Sequence, residues 1–255
     1  MPCSTSSRRE VPLIKEIIAK DILRSFDSRF SLRCSIGLQS GQTHALLGPN
    51  GSGKSTLLRV LSLLERPQQG ELIYRDEQKN YLNPFSDLAL RRRVTLVNTR
   101  PVVFRESVLK NVTYGLRIRG IGKKECMERA TMALRLVRLE HLKDQPAPLL
   151  SSGEKQRLSL ARAIAIDPDV LMLDEPTVNL DPENTEIIEE AIKALHERGD
   201  RLILFVTHNL FQARKLADQV FFIHNGRIIE QNSRERFFSA PETELARRFL
   251  RGEIY

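Results

Sequence analysis

Apolar and polar positions along the chain fall into two different periods. Residues from about 11 to 45 have a β-rich texture, and Ser40-Gly41 between two short runs predicts a hairpin turn. His44-Ala45-Leu46-Leu47 reads as a short buried strand. Beyond it Leu57, Leu58, Val60, Leu61 and Leu64 recur at helical spacing. Pro67 to Gly70 marks a break, and Glu71 to Tyr74 and Val94 to Val97 predict two further short strands. From about Arg105 to Asp144 the texture turns helical, with Met127, Ala130, Leu134 and Val137 recurring among charged residues. Strand and helix alternate again afterwards. Val170 to Leu173 and Leu202 to Thr207 are continuous apolar runs, as in strands buried on both faces of a parallel sheet. Between them Ile187, Ile188, Ala191, Ile192 and Leu195 mark an amphipathic helix, with Asp181-Pro182 as its N-cap and first residue. Val220 to Ile223, Asn225-Gly226 and Ile228-Ile229 spell a hairpin. The pattern is that of an α/β core with a helical lobe inserted at about 105–160.

Between the first buried strand and the first helix lies Gly48-Pro49-Asn50-Gly51-Ser52-Gly53-Lys54-Ser55-Thr56, which fits G-x-x-x-x-G-K-S/T without a mismatch. Glycines there let successive backbone N–H groups converge on an anion, and the helix that starts near Lys54 adds its positive dipole end. Lys54 can reach the β- and γ-phosphates of a nucleotide, and the Ser55 hydroxyl can ligate Mg²⁺. A second motif, Val170-Leu171-Met172-Leu173-Asp174-Glu175, delivers two carboxylates to the end of an apolar strand. Asp174 suits Mg²⁺, commonly through water, and Glu175 suits activation of an attacking water.

Composition narrows the setting. A net charge of +8 and a pI near 9.6 would suit nucleic acid or an anionic membrane surface. The charge is spread along the chain, however, and the densest basic run, Arg91-Arg92-Arg93, reads as a solvated edge, so no nucleic-acid partner is expected. No apolar run approaches the ~20 residues of a bilayer span. Cys3, Cys34 and Cys126 are scattered without metal or redox spacing, which fits a reducing cytoplasm. Met1 to Glu10 lacks the apolar stretch of a secretory signal and reads as a flexible tail.

Leu150-Ser151-Ser152-Gly153-Glu154 combines a capping-box spacing, Ser151 to Glu154, with a glycine N–H at a helix start. It resembles the LSGGQ/E signature of the ATP-binding subunits of ABC transporters, and the resemblance runs from about Val11 to Gly226. Asp174-Glu175-Pro176-Thr177 followed by Val178-Asn179-Leu180-Asp181 looks like the family's second phosphate motif and adjoining loop. Thr207-His208 stands where the family carries its switch histidine, a context that His44, His141, His196 and His224 lack.

The resemblance implies a P-loop NTPase core of mainly parallel sheet, with an antiparallel β subdomain and an inserted helical subdomain. It implies one cassette domain over residues 11–240, with 241–255 a C-terminal tail. Two such chains would pair head to tail, so that Ser151 and Gly153 contact ATP bound to the partner's phosphate loop, Gly48 to Thr56. His208 would hold the γ-phosphate and Lys54 and Glu175 would act in hydrolysis with Mg²⁺. Phe26, with Phe30 as the competing candidate, falls where the family stacks an aromatic on adenine. Two residues depart from the pattern. Thr99 occupies the place of a glutamine, an amide arm longer, that reaches the metal in the family. Either a water substitutes there or coupling to the membrane partner differs. Ser152 replaces the signature's first glycine, which is tolerable if the backbone stays in a conformation open to other residues.

Length and the lack of spans leave a separate ATPase subunit, peripheral on the cytoplasmic face of the inner membrane, docked on permease subunits through Val102 to Leu116. Importers fit best, served indirectly by an extracytoplasmic solute-binding protein. Leu63 to Gly70, Thr177 to Asp181 and the ending Phe249 to Tyr255 look like tungstate- or molybdate-type oxyanion importers, with phosphate or an amino acid as the other substrates considered. The alternative is a regulatory or scaffold ABC protein that binds nucleotide and hardly hydrolyses it.

Overall fold

The computed structural model describes residues 11–25 and 30–254; the expected N-terminal tail, 1–10, and Phe26 lie outside them. In chain order, β1 (Ile14–Ser25), β2 (Ser31–Gln39) and β3 (Thr43–Leu47) lead into α1 (Lys54–Leu61). β4 (Gln69–Asp76), β5 (Asn80–Tyr81), α2 (Leu88–Arg91) and β6 (Val94–Val97) follow. Three helices come next, α3 (Val108–Ile118), α4 (Lys123–Leu136) and α5 (Ser152–Ala165). The alternation resumes with β7 (Val170–Asp174), α6 (Pro182–His196), β8 (Leu202–Val206), α7 (Leu210–Leu216), β9 (Gln219–His224) and β10 (Arg227–Ser233). α8 (Arg234–Ser239) and α9 (Glu244–Leu250) end the described chain.

Two sheets result. One is antiparallel, in the order β2-β1-β4-β5. The other runs β10-β9-β3-β8-β7-β6, parallel from β9 to β6 with β10 as an antiparallel edge. Burial follows the sequence periods. β2 alternates, with Leu32, Cys34, Ile36 and Leu38 inside, whereas every residue of β3 and β8 is buried. The parallel sheet is covered on one face by α1 and the antiparallel sheet, and on the other by α3 to α6 and the C-terminal helices. Among the described residues no helix is long and apolar enough to cross a membrane.

Several expectations are corrected. Ser40-Gly41 is a turn but makes no hairpin, because β2 pairs with β1 while β3 lies between β8 and β9 in the other sheet. Gly41 has a φ of 76° and its N–H donates to Arg201 O at 2.7 Å, so the turn carries the chain from one sheet to the other. The stripe of the first helix stops at Leu61. Leu63 then takes a φ of 62° and points inward, which leaves Leu64 53% exposed. In α4 the buried side is Cys126, Ala130, Ala133 and Leu134, with Val137 just beyond it, and Met127 faces out. Residues 241–255, expected as a tail, carry α9, whose Phe249 packs on Phe222 at a centroid distance of 5.0 Å.

Arg93 is no solvated edge. Its guanidinium meets Asp169 Oδ2 at 2.7 Å and the Tyr81 hydroxyl at 3.0 Å, and it also donates to Pro12 O. The same Asp169 oxygen accepts Ile14 N–H at 3.1 Å, so one ion pair ties the start of β1 to the approach to β7. Deleting one partner of such a pair costs about 3–5 kcal/mol, because the other charge is left buried.

His44, in the middle of the parallel sheet, titrates as a consequence of this packing. Gln39 N–H points at its Nε2 (3.4 Å), so the neutral ring carries its proton on Nδ1 and donates it to Ile203 O (3.2 Å). Burial lowers its pKa from 6.5 to about 4, against the upward pull of the Ile203 carbonyl and Asp218. Between those values the unfolded chain binds the proton and the folded chain does not, so stability falls as pH falls through this window. The loss reaches about 3 kcal/mol near pH 4. Denaturant midpoints measured from pH 7 to 4 should show this slope, and a His44→Gln variant should lose it.

Candidate functional site

The phosphate loop owes its course to close packing. A Cβ at Gly48 would stand 2.1 Å from Ile223 O, so only glycine lets β3 leave the sheet past β9. Gly53 caps α1 at a φ of 103°, with Phe30 Cζ 2.7 Å from where its Cβ would be. No side chain caps that helix start, which leaves the first N–H groups of α1 directed to the loop. Ser52 O accepts Gly226 N–H at 2.9 Å, and Gly226 O in turn accepts Arg33 N–H at 2.7 Å, so the β9–β10 turn joins the loop to the antiparallel sheet. Phe30, the second adenine candidate, is therefore placed against the loop, while Phe26 lies outside the described residues.

Lys54 is buried and folds back on its own loop, donating to Gly48 O and Pro49 O at 2.8 Å each. Burial lowers its pKa, and the charges of Glu175 and Asp174 act to raise it. Ser55 Oγ donates to Asp174 Oδ1 at 3.2 Å. Burial raises the pKa of Asp174, as does the neighbouring Glu175 charge, with the Ser55 bond acting the other way. A hydroxyl and a half-buried carboxylate are hard oxygen donors, and they suit Mg²⁺. No cluster of three or more His, Cys, Asp or Glu able to hold a metal occurs among the described residues.

Glu175 has a φ of 46°, uncommon outside glycine, and its N–H donates to Val206 O at 3.1 Å. This turn aims its carboxylate at His208, whose Nδ1 is 3.3 Å from Glu175 Oε2. Thr99 donates its hydroxyl to the backbone carbonyl of Asp174 at 3.0 Å, so a metal contact from there requires this bond to break.

The signature opens α5. Ser151 caps α5 in a closed capping box, Glu154 N–H to Ser151 Oγ at 3.2 Å and Ser151 N–H to Glu154 Oε2 at 2.8 Å. Ser152 is the first helical residue and is absent from the positive-φ residues, so serine replaces glycine there without strain. Gly153 is buried for a reason the motif does not reveal. Its Cβ would lie 2.4–2.7 Å from the Asn184 amide, which is itself held by Asp181 Oδ2 at 2.6 Å. Among the described residues no hydrogen bond joins Ser151 or Gly153 to the loop, Asp174 or Glu175.

The pattern reading missed Asn184, Gln156 and Gln212. Gln156 and Gln212 are both almost fully buried, at 3% and 1% exposure, and lie on inward faces of α5 and α7. A polar residue at an inward helical position was the available signal.

A family model described as ABC transporter matches residues 32–178, more than half of the chain. The chain belongs to the ABC transporter family. It is 38% identical over 235 residues to the phosphate import ATP-binding protein PstB 2 of Natronomonas pharaonis, covering 86% of this chain and 80% of that one. It is also 38% identical over 233 residues to the "Probable anion import ATP-binding protein" of Haloferax volcanii, covering 86% and 81%. Among solved structures, the dimeric ATP-binding cassette MJ0796 in a post-hydrolysis state with ADP and Pi matches with a TM-score of 0.75. The identity there is 25%, covering 85% of this chain and 98% of that one. The ABC fold is thus established, with its antiparallel sheet and helical lobe on the P-loop core.

In this ABC chain Gly153→Ala should force Asn184 off its Asp181 contact and destabilise the fold by about 1–2 kcal/mol. Calorimetry should show the midpoint recovering when Asn184→Ala is added, and no recovery would mean that the Asn184 contact is not the cause.

Proposed function

We propose that this chain is the ATP-binding and ATP-hydrolysing subunit of an importer, acting as a head-to-tail pair beneath permease subunits. The carrying observation is the convergence of Lys54, the Ser55–Asp174 pair and the Glu175–His208 pair at one end of the parallel sheet. A second copy of the chain, paired as in the dimeric cassette MJ0796, would bring its signature to this site.

Each residue has a physical task. Backbone N–H groups of Gly51 to Lys54 and the α1 dipole take the phosphate oxygens of ATP. An anion there competes with Gly48 O and Pro49 O for the Lys54 ammonium. Ser55 and Asp174 would hold Mg²⁺, which supplies charge neutralisation at the phosphates when bound. Glu175 accepts the proton of the attacking water, and His208, adjacent to it, donates to the γ-phosphate. Ser151 Oγ and the Gly153 N–H serve the partner's nucleotide.

A cleft between α3, α5 and the end of β6 supports docking of a permease segment over Val102 to Leu116. Phe104 stacks near Tyr114 at 4.6 Å, Arg162 sits over Phe104 at 4.7 Å, and Val102 and Ile118 are exposed apolar residues. The transported solute is read as a small oxyanion. Segment resemblance favours tungstate or molybdate, and similarity to phosphate and anion import proteins supports the wider class. A solute-binding protein outside the membrane would deliver it. The second reading, a nucleotide-binding regulator with little turnover, is favoured by one observation, the engagement of Thr99 with Asp174 O.

Phosphate release by the purified chain with Mg²⁺ and ATP separates the two readings. Wild type should turn over and Lys54→Ala should not. Glu175→Gln should slow turnover by about 10²–10⁴-fold and accumulate an ATP-dependent dimer in light scattering. A Glu175→Gln protein that hydrolyses at the wild-type rate would remove Glu175 from its role. Uptake by vesicles carrying the permease subunits that bind this chain, with tungstate, phosphate or an amino acid as competitor, tests the solute class.

A further inference from the structure

His208 is held by little that touches the histidine itself. Its side chain is 58% exposed, and Glu175 Oε2, at 3.3 Å, is the acidic group it faces. Its position is set by the short helix that follows. Asn209 Oδ1 accepts Phe211 N–H at 2.9 Å and Gln212 N–H at 3.2 Å, and Asn209 N–H donates to Thr207 Oγ1 at 3.0 Å. These bonds shape the turn locally and tie it to nothing across the site.

The cross-tie is Gln212, which is 1% exposed. Its Nε2 donates to Thr177 Oγ1 at 2.8 Å and to Glu189 Oε1 at 3.3 Å. Glu189, buried on α6, takes Lys215 Nζ on its other oxygen at 2.7 Å. The acceptor-only carboxylate fixes the amide nitrogen on that side. Gln212 Oε1 has no partner among the described residues, so the desolvation cost of the amide is offset by its two N–H contacts alone. Thr177 lies two residues beyond Glu175, in the segment whose turn begins at that residue's positive φ. One amide therefore links the helix after His208 to the segment after Glu175.

We infer that Gln212 is a positioning residue for hydrolysis, setting the approach of His208 to Glu175 by tying α7 to Thr177. The inference rests on the ATPase reading given above. It concerns the rate of the chemical step and leaves ATP binding by the phosphate loop alone, since neither Gln212 nor Thr177 belongs to that loop.

The test is steady-state MgATP hydrolysis by the full chain carrying Gln212→Leu, Thr177→Val, both, or Thr177→Ser. Each of the first two should lower kcat by about tenfold, with the KM for ATP within about twofold of wild type. The double variant should fall no further than the slower single, because both substitutions break one tie. Thr177→Ser, which keeps the hydroxyl, should recover at least half of the logarithmic loss. A merely structural role would lower the active fraction and the melting midpoint while leaving kcat per folded molecule unchanged, so circular dichroism melts accompany each assay. Wild-type kcat in Gln212→Leu, or losses that multiply in the double variant, overturn the inference while leaving the ATPase reading intact. If Gln212→Leu does not fold, the Thr177→Val and Thr177→Ser pair decides in the same way. A wild-type chain that releases no phosphate overturns the ATPase reading and this inference with it.

Discussion

Asp174 and Glu175 place two carboxylates side by side at the end of a strand whose preceding residues are all buried, and the surrounding site answers that charge. Burial and the adjacent acid both raise the pKa of Asp174. Ser55 donates to it from the first turn of α1, Lys54 supplies positive charge nearby, and His208 stands against Glu175. Lys54 and Ser55 open α1 just after β3, and His208 follows β8, so the acid pair can be matched only when β3, β7 and β8 are adjacent in the sheet. The order β3-β8-β7 supplies that adjacency. The backbone contributes as well. Glu175 N–H bonds to Val206 O across the β7–β8 junction, and this bond holds the positive-φ turn after which Glu175 faces His208 while Asp174 faces Ser55.

The antiparallel sheet reaches the site by another route. Its strands share one hydrophobic cluster with α1 and the inner face of the parallel sheet, and burial there is non-directional. Directional contacts set how the layers sit. Arg93 and Asp169 fix the start of β1 at one end, and the Asn225-Gly226 turn fixes β2 and Ser52 at the other. The second of these explains why a hairpin far along the chain bears on the phosphate loop. Gly226 has a φ of 73°, and its Cβ would lie 2.1 Å from Ser31 O, so both its conformation and its crowding call for glycine.

What was legible in the sequence was set by near neighbours. The Asp181 cap, the Ser151–Glu154 box, the fully buried β3 and β8 and the β9–β10 hairpin all depend on residues within a few positions. The phosphate loop and the Asp174-Glu175 pair were legible for the same reason, since their chemistry lies in one continuous segment. The misreadings involve distant partners. Whether Ser40-Gly41 closes a hairpin depends on strands at 14–25 and 202–206, and no local signal carries that. Arg93 looked solvated because Asp169 lies 76 positions away. The packing of Gly153 on Asn184 was likewise invisible, because Asn184 belongs to another helix. Met127 was placed inside by spacing alone, and the choice between Cys126 and Met127 was made by the faces of the neighbouring helices.

Thr99 shows how a short side chain can carry a long connection. It follows β6, and its neighbours Asn98 and Arg100 line the cleft between the sheet and the helical lobe. Gln156, buried in α5, donates to Asn98 O at 3.4 Å, so the helical lobe holds the same segment from the other side. A glutamine at position 99 would carry its donor on an arm one amide longer. The threonine hydroxyl instead bonds to the Asp174 carbonyl at 3.0 Å. The segment after β6 thus touches the backbone that carries both acids. One such hydrogen bond contributes about 0.5–1.5 kcal/mol to holding this junction.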